Sequence, residues 1–334
     1  MPSTSRRHLL LGFATLPLWP GMAQAAPSAA SPAALLGCGR DAAGDAVFGL
    51  DAAGEIIWRQ ALPGRGHGMA VAPDGSFALI AARRPGRWLL RIDLHQPQTP
   101  PQLWPCDDLA YGGHVVFLDA TRVALSASDA EGYGCIAVLD AASGGRIALW
   151  PTDGIDPHEL LSLPGGILAL ANGGDAAEAS CLVRLDATSG AILARIEAPP
   201  KLHRLSLRHM AALPDGSIAV AAQDRGGAEA GMPLLALWQP DERLHWIDLG
   251  QSQGDLRGYC GAIAAQDTRL CLTSPQGGVA LLHPGSSRID AADLCGVAPL
   301  GPGFMLSGGR GDLILPDGSR RHHAVAWDNH LKAV

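Results

Sequence analysis

Lysine is almost missing from this chain of 334 residues. It occurs only at Lys201 and Lys332, so the positive charge is carried by arginine. The formal net charge is −7, and no stretch forms a basic stripe. That excludes nucleic acid and anionic membrane surfaces as expected partners. Aromatic residues make up only 5% of the chain. No segment approaches the ~18 uninterrupted apolar residues of a membrane-spanning helix. There is no Cys-x-x-Cys pair, which argues against a zinc ribbon or a thioredoxin-like redox site.

Common catalytic signatures are also lacking. No Gly-x-Ser-x-Gly nucleophile elbow occurs. "HELLS", from His158, begins like a zincin helix, but Ser162 stands where the second histidine would be. "GCGRDAAG", from Gly37, imitates a phosphate-binding loop, yet no helix pattern follows and no Lys-Ser/Thr closes it. These absences lean against an enzyme and leave the question open.

What is present points to many short strands. There are 42 Gly and 25 Pro, with 47% hydrophobic residues, enough turns and enough apolar surface for a large β core. The first residues, "STSRRHLLLGFATLPLWPGMAQAAP", combine a basic start, an apolar middle and the small-residue triplet Ala23-Gln24-Ala25. This fits an export signal over residues 1–25, and Ser5-Arg6-Arg7-His8-Leu9-Leu10 resembles the twin-arginine type. A mature, periplasmic chain from Ala26 is expected. Seven cysteines are an odd number for an oxidising compartment, so at least one must be unpaired, ligated or paired between chains.

The remainder repeats. "LDAAGEI", "LDAASGGRI" and "LDATSGAIL" each end an apolar strand in an Asp-initiated Gly turn. A second turn recurs upstream, at Pro73-Asp74-Gly75, Pro164-Gly165-Gly166, Pro214-Asp215-Gly216 and Gly301-Pro302-Gly303. The unit reads strand, turn, strand, loop, strand, turn, strand, and four-stranded units of this kind are β-propeller blades of the WD40/YVTN-like sort. Aligned units place one residue at the start of each first strand: His67, His114, His158, His209, Cys260, Cys295 and His330, spaced 47, 44, 51, 51, 35 and 35 apart. In the fourth of these either His209 or Arg208 is the equivalent position. Seven starts predict an all-β, single seven-bladed propeller over residues 26–334. Its C-terminal strand, "HLKAV", should complete the N-terminal blade and close the ring.

The seven aligned residues should converge on one end of the central channel, and they are of the types that ligate soft or borderline metals. A structural reading competes, in which each histidine is bonded within its own blade and each cysteine is a buried apolar residue. Cys260 and Cys295, on adjacent blades, could also form a disulfide. Loops after the second strands bring Arg83, Arg84, Arg87, Asn172 and Asp224 to the same end, with Arg204 and Arg208 near the rim, a set suited to an anionic ligand. Cys135 and Cys181 occupy matching strand positions and are expected to be core, and "SRRHH" is expected to be an outer strand.

The combination "GRGHGMAV", "ARRPG", "YGGHVVF", "GIDPHELL", "LANGG", "LSLRHMA", "TSPQGG", "DLCGVAPL" and "AWDNHL" resembles the exported bacterial propellers of domain of unknown function 1513. The resemblance matches His67, His114, His158, His209, Cys295 and His330, with Arg84, Asn172 and Arg208 beside them as ligand-binding positions. It implies a part in periplasmic iron acquisition, with imelysin-like or di-haem proteins as partners. The expected function is a monomeric binding protein for iron, copper or an anionic metal chelate. The alternatives are a metal-dependent oxidoreductase or lactonase-like hydrolase, and a pure interaction scaffold. Convergence of three or more ring nitrogens on one point distinguishes metal binding from blade-local histidines.

Overall fold

The computed structural model describes residues 33–226, 231–285 and 287–334. The export signal expected over residues 1–25 lies outside these. The chain forms seven four-stranded antiparallel sheets, arranged in a ring as a seven-bladed β-propeller. Helix is confined, among the described residues, to Ser252–Asp255 and a 3₁₀ turn at Pro200–Leu202.

Each blade begins with an inner strand along the channel. These are Gly66–Val71, Ala110–Phe117, Pro157–Leu163, Leu205–Ala212, Ala262–Gln266, Leu294–Leu300 and Ala326–Ala333. The last of them has no sequence of its own to build a blade. It pairs with Leu35–Asp41, which continues to Gly44–Leu50 and Ile56–Ala61. Leu35 faces Ala333, Gly37 faces Leu331 and Gly39 faces Trp327. The ring thus closes by strand pairing, and an open edge at either terminus is avoided.

The turns follow from their sequences. Asp51 Oδ1 accepts the backbone N–H of Ala53 and Glu55, and Asp186 Oδ1 accepts those of Thr188 and Ser189. Each aspartate thereby satisfies the donors its own turn exposes. The core lies between faces of neighbouring blades. One cluster joins Leu79, Leu89 and Tyr111 to Leu125 and Leu139; another joins Leu50 and Phe48 to Leu313 and Trp327. "HELLS" is inner strand within Pro157–Leu163, and "GCGRDAAG" is a hairpin of the first blade. Cys135 and Cys181 are buried strand residues, and Arg320–His322 is the outer strand of its blade.

Candidate functional site

Six of the seven inner strands carry a register shift at the aligned position. The shifts fall between Gly66 and Met69, Tyr111 and Val115, Pro157 and Leu160, Leu207 and His209, and Leu294 and Gly296, and opposite Gly37 to Gly39 between Leu331 and Trp327. A bulge breaks the alternation of side chains and re-aims one of them. Here it takes the histidines out of the blade faces and into the channel. Glycine makes room for them. A Cβ on Gly68 would lie 2.4 Å from the carbonyl oxygen of Gly113, and Gly113 itself has φ +96° with its Hα side against the His67 ring.

The five imidazoles fill a cross-section of the channel. Ring centroids are 4.5 Å apart for His67 and His330, 5.1 Å for His67 and His114, 4.6 Å for His114 and His158, and 4.9 Å for His158 and His209. His209 and His330 close the loop at 5.2 Å, and His114 also reaches His330 at 4.9 Å. Two sets of three bring one ring nitrogen each to within 4.8 Å of one another: His67, His114, His158, and His114, His209, His330. Four-coordinate zinc with ~2.0–2.1 Å bonds needs donors about 3.4 Å apart, so nitrogens up to 4.8 Å apart would have to draw together to hold an ion.

Carboxylates orient the rings from outside. The Nδ1–H of His67 donates to Asp328 Oδ1 at 2.8 Å, which turns Nε2 away from that carboxylate. His209 Nδ1 lies 3.3 Å from Glu159 Oε2, an oxygen that also accepts the Met210 N–H at 2.8 Å. Both pairs cross between blades. The blade-local arrangement weighed from the sequence is therefore not the one adopted. His114 Nε2, His158 Nδ1 and His330 Nε2 are buried with no hydrogen-bond partner. Unpaired buried polar atoms are rare and call for an explanation.

Burial, reinforced by neighbouring imidazoles and by arginine charge, holds His114, His158 and His209 well below the ordinary histidine range. Burial does the same for His330, against the opposing pull of Asp328. These rings are neutral at ordinary pH, the form in which imidazole ligates a metal. Asp328 resists burial, because the His67 bond and the Arg65 charge keep its carboxyl below the usual range. Burial pushes Glu159 up to about 8, despite the Met210 N–H and the charges of His67 and Lys332.

The cysteines of the alignment do not join the imidazoles. Cys260 Sγ faces the carbonyl of Leu234 at 3.9 Å, and Cys295 Sγ the carbonyl of Asp328 at 3.4 Å. Burial raises both thiols to about 12, so without a metal they are protonated at ordinary pH. All seven cysteines are free, so the disulfide considered for Cys260 and Cys295 is not formed. The bulge in the inner strand Leu205–Ala212 resolves its alternative, since His209 enters the cluster and Arg208 turns to Asp156, 2.9 Å away. Arg84 pairs with the same carboxylate. Asn172 is not brought to the channel; its Nδ2 donates to the Thr152 carbonyl at 3.1 Å inside the sheets. Arg87 donates to the carbonyls of Asp107 and Leu109.

Sequence reasoning missed Asp156, Glu159 and Asp328 as members of the site. A signal existed: Asp156-Pro157-His158 and Asp328-Asn329-His330 each place an aspartate two residues before a ring histidine. The imidazoles also lie deeper than a channel mouth. They separate a small cavity of about 30 Å³, bordered by arginines, from one of about 540 Å³ that runs down the channel past Met69, Val115, Met210, Ile263, Val297 and Lys332.

A family model described as "Protein of unknown function (DUF1513)" matches residues 60–334. No curated protein matches. Among solved structures, hydrazine synthase of Kuenenia stuttgartiensis superposes with a TM-score of 0.64 at 14% identity, covering 83% of this chain and 88% of that one. A chain of a nidogen/laminin complex gives 0.54 at 12% identity, covering 77% and 92%. At such identities the likeness concerns the fold alone.

Proposed function

Because this chain belongs to the family described as Protein of unknown function (DUF1513), which assigns no activity, we propose its role from the site itself: a propeller that binds a transition-metal ion in a channel ring of five histidines. One observation carries the reading. Three buried ring nitrogens, on His114, His158 and His330, have no partner, while carboxylates orient the neighbouring His67 and His209. Carboxylate–histidine pairs of this kind stand behind most histidine metal ligands. An all-imidazole donor set suits iron, copper, nickel or zinc rather than magnesium or calcium.

Residues 1–25 support an exported, periplasmic protein, and the family resemblance supports a part in iron acquisition beside imelysin-like or di-haem proteins. Iron and copper are thus the metals to look for first. Binding without catalysis fits the missing catalytic motifs. A metal-dependent enzyme has one observation in its favour, since His114 and His330 also line the cavity of about 540 Å³, large enough for a small substrate.

The test is metal content by mass spectrometry on untagged protein purified without chelator, beside a His114→Ala/His158→Ala double variant. Near-stoichiometric metal in the parent, lost in the variant, is the expected result. A parent that stays metal-free after exposure to iron(II), copper(II) and zinc(II) overturns the reading.

A further inference from the structure

Histidines and arginines make up most of the wall of the small cavity above the imidazoles, with Gln223, Tyr259 and Asn329 completing it. His67, His158 and His209 border it from the cluster, and Arg83, Arg84 and Arg208 from the loops and strand starts. Arg208 is only 9% exposed. Its Nη2 pairs with Asp156 at 2.9 Å, but its Nε and Nη1 are buried without a hydrogen-bond partner. Arg83 Nη1 is likewise buried and unbonded, with its nearest carboxylate, Asp328, 3.8 Å away. A buried guanidinium with idle donors is costly, because water's hydrogen bonds have been lost and nothing replaces them.

The local charge points the same way. Asp156 is shared between Arg84 and Arg208, and Asp328 between Arg65, Arg83 and His67. Four arginines against two aspartates leave an excess of positive charge around this space. A small oxyanion answers both deficits at once. Its oxygens accept from the idle N–H groups, and its charge balances the arginines.

We propose that this cavity is a binding site for a small oxyanion of the carboxylate or bicarbonate class, held by one of the two idle N–H edges of Arg208 and by Arg83 Nη1. The site shares its imidazole wall with the proposed metal site but does not require the metal, so the two readings fail separately.

The experiment is isothermal titration and thermal melting of the full chain, stripped of metal, with bicarbonate, acetate, phosphate or chloride at matched ionic strength. The expected result is a saturable rise in melting temperature with bicarbonate or acetate over chloride, and anion affinity at least tenfold weaker in Arg208→Gln. Bicarbonate acting alone identifies the free ion as the ligand; acetate acting equally identifies the carboxylate of an organic ligand. The proposal is overturned if the parent shows no saturable effect beyond chloride, or if Arg208→Gln retains full affinity. Should Arg208→Gln fail to fold, Arg83→Gln carries the same comparison.

Discussion

Asp328 and His67, 261 positions apart in sequence, meet at 2.8 Å between Oδ1 and Nδ1 in the buried centre of the ring. The bond joins the C-terminal strand, which closes the propeller, to the first strand of the next blade. It also sets the tautomer of a proposed metal ligand. Asp328→Asn removes the charge that fixes the Nδ1–H and leaves Arg65 and Arg83 facing an amide. Metal affinity is expected to drop about 10–100-fold, the usual cost of losing such an outer partner. Competitive titration against a metallochromic chelator measures it, and unchanged affinity would show that Asp328 serves closure alone.

The cysteines and histidines of the alignment are expected to part company under mutation. Cys260→Ala and Cys295→Ala, whose thiols face backbone carbonyls away from the imidazoles, should leave metal stoichiometry unchanged. His114→Ala should lose the metal, because His114 belongs to both sets of converging nitrogens. Metal analysis of the three single variants decides the matter. Loss of metal from either cysteine variant would restore a thiolate ligand.

Gly113 sits with φ +96° against the His67 ring, where an added Cβ would come within 2.9 Å of its Cδ2. Gly113→Ala is expected to cost about 1–3 kcal/mol through backbone strain and crowding. Metal affinity should fall with it as His67 is displaced. Urea unfolding gives the first quantity and titration the second; a variant of parental stability would mean that the strand yields easily.

Closure is open to a direct test at Trp327, which is buried against Phe48 with ring centroids 5.3 Å apart. Trp327→Ala should cost about 3–5 kcal/mol. The loss should appear in one cooperative transition, since the strand it anchors belongs to a sheet whose other strands come from the N-terminal side. A small, separate first transition would instead mark the first blade as independently frayed.

Acid should destabilise the metal-free protein. His114, His158, His209 and His330 have folded values well below the ordinary 6.5. Below about pH 6.5 the unfolded chain therefore binds more protons than the folded one, and stability falls with pH. Glu159 acts in the opposite sense. Raised from 4.5 to about 8, it binds its proton in the folded state first, so its contribution is lost as pH rises towards 8. Asp328, held low, the arginines Arg83, Arg84 and Arg208, and Lys332 face the same cluster. Four imidazoles outweigh one carboxyl, so urea midpoints should decline from about pH 6.5 downwards. A flat profile between pH 7 and pH 5 would contradict the burial of neutral rings.

The propeller was legible in the sequence because blade architecture is written locally. Asp-Gly turns and runs of alternating apolar residues recur at intervals that need no knowledge of distant contacts, and "HLKAV" without partners of its own already implied closure. The alignment also found all five histidines, because each lies on its own inner strand, although His114, His209 and His330 stand mid-strand rather than at its start. What it could not decide was which way a side chain at that position points. Histidine and cysteine occupy equivalent places, yet the bulge at His209 turns its ring into the channel, while Cys295 directs its sulfur at carbonyls of the adjoining strand. The partners of the rings were equally hidden, because Asp328 and Glu159 act on histidines of other blades. Repeats reveal what each blade does alone; the direction of a side chain at a bulge and the charges that meet across the axis exist only once seven blades stand together.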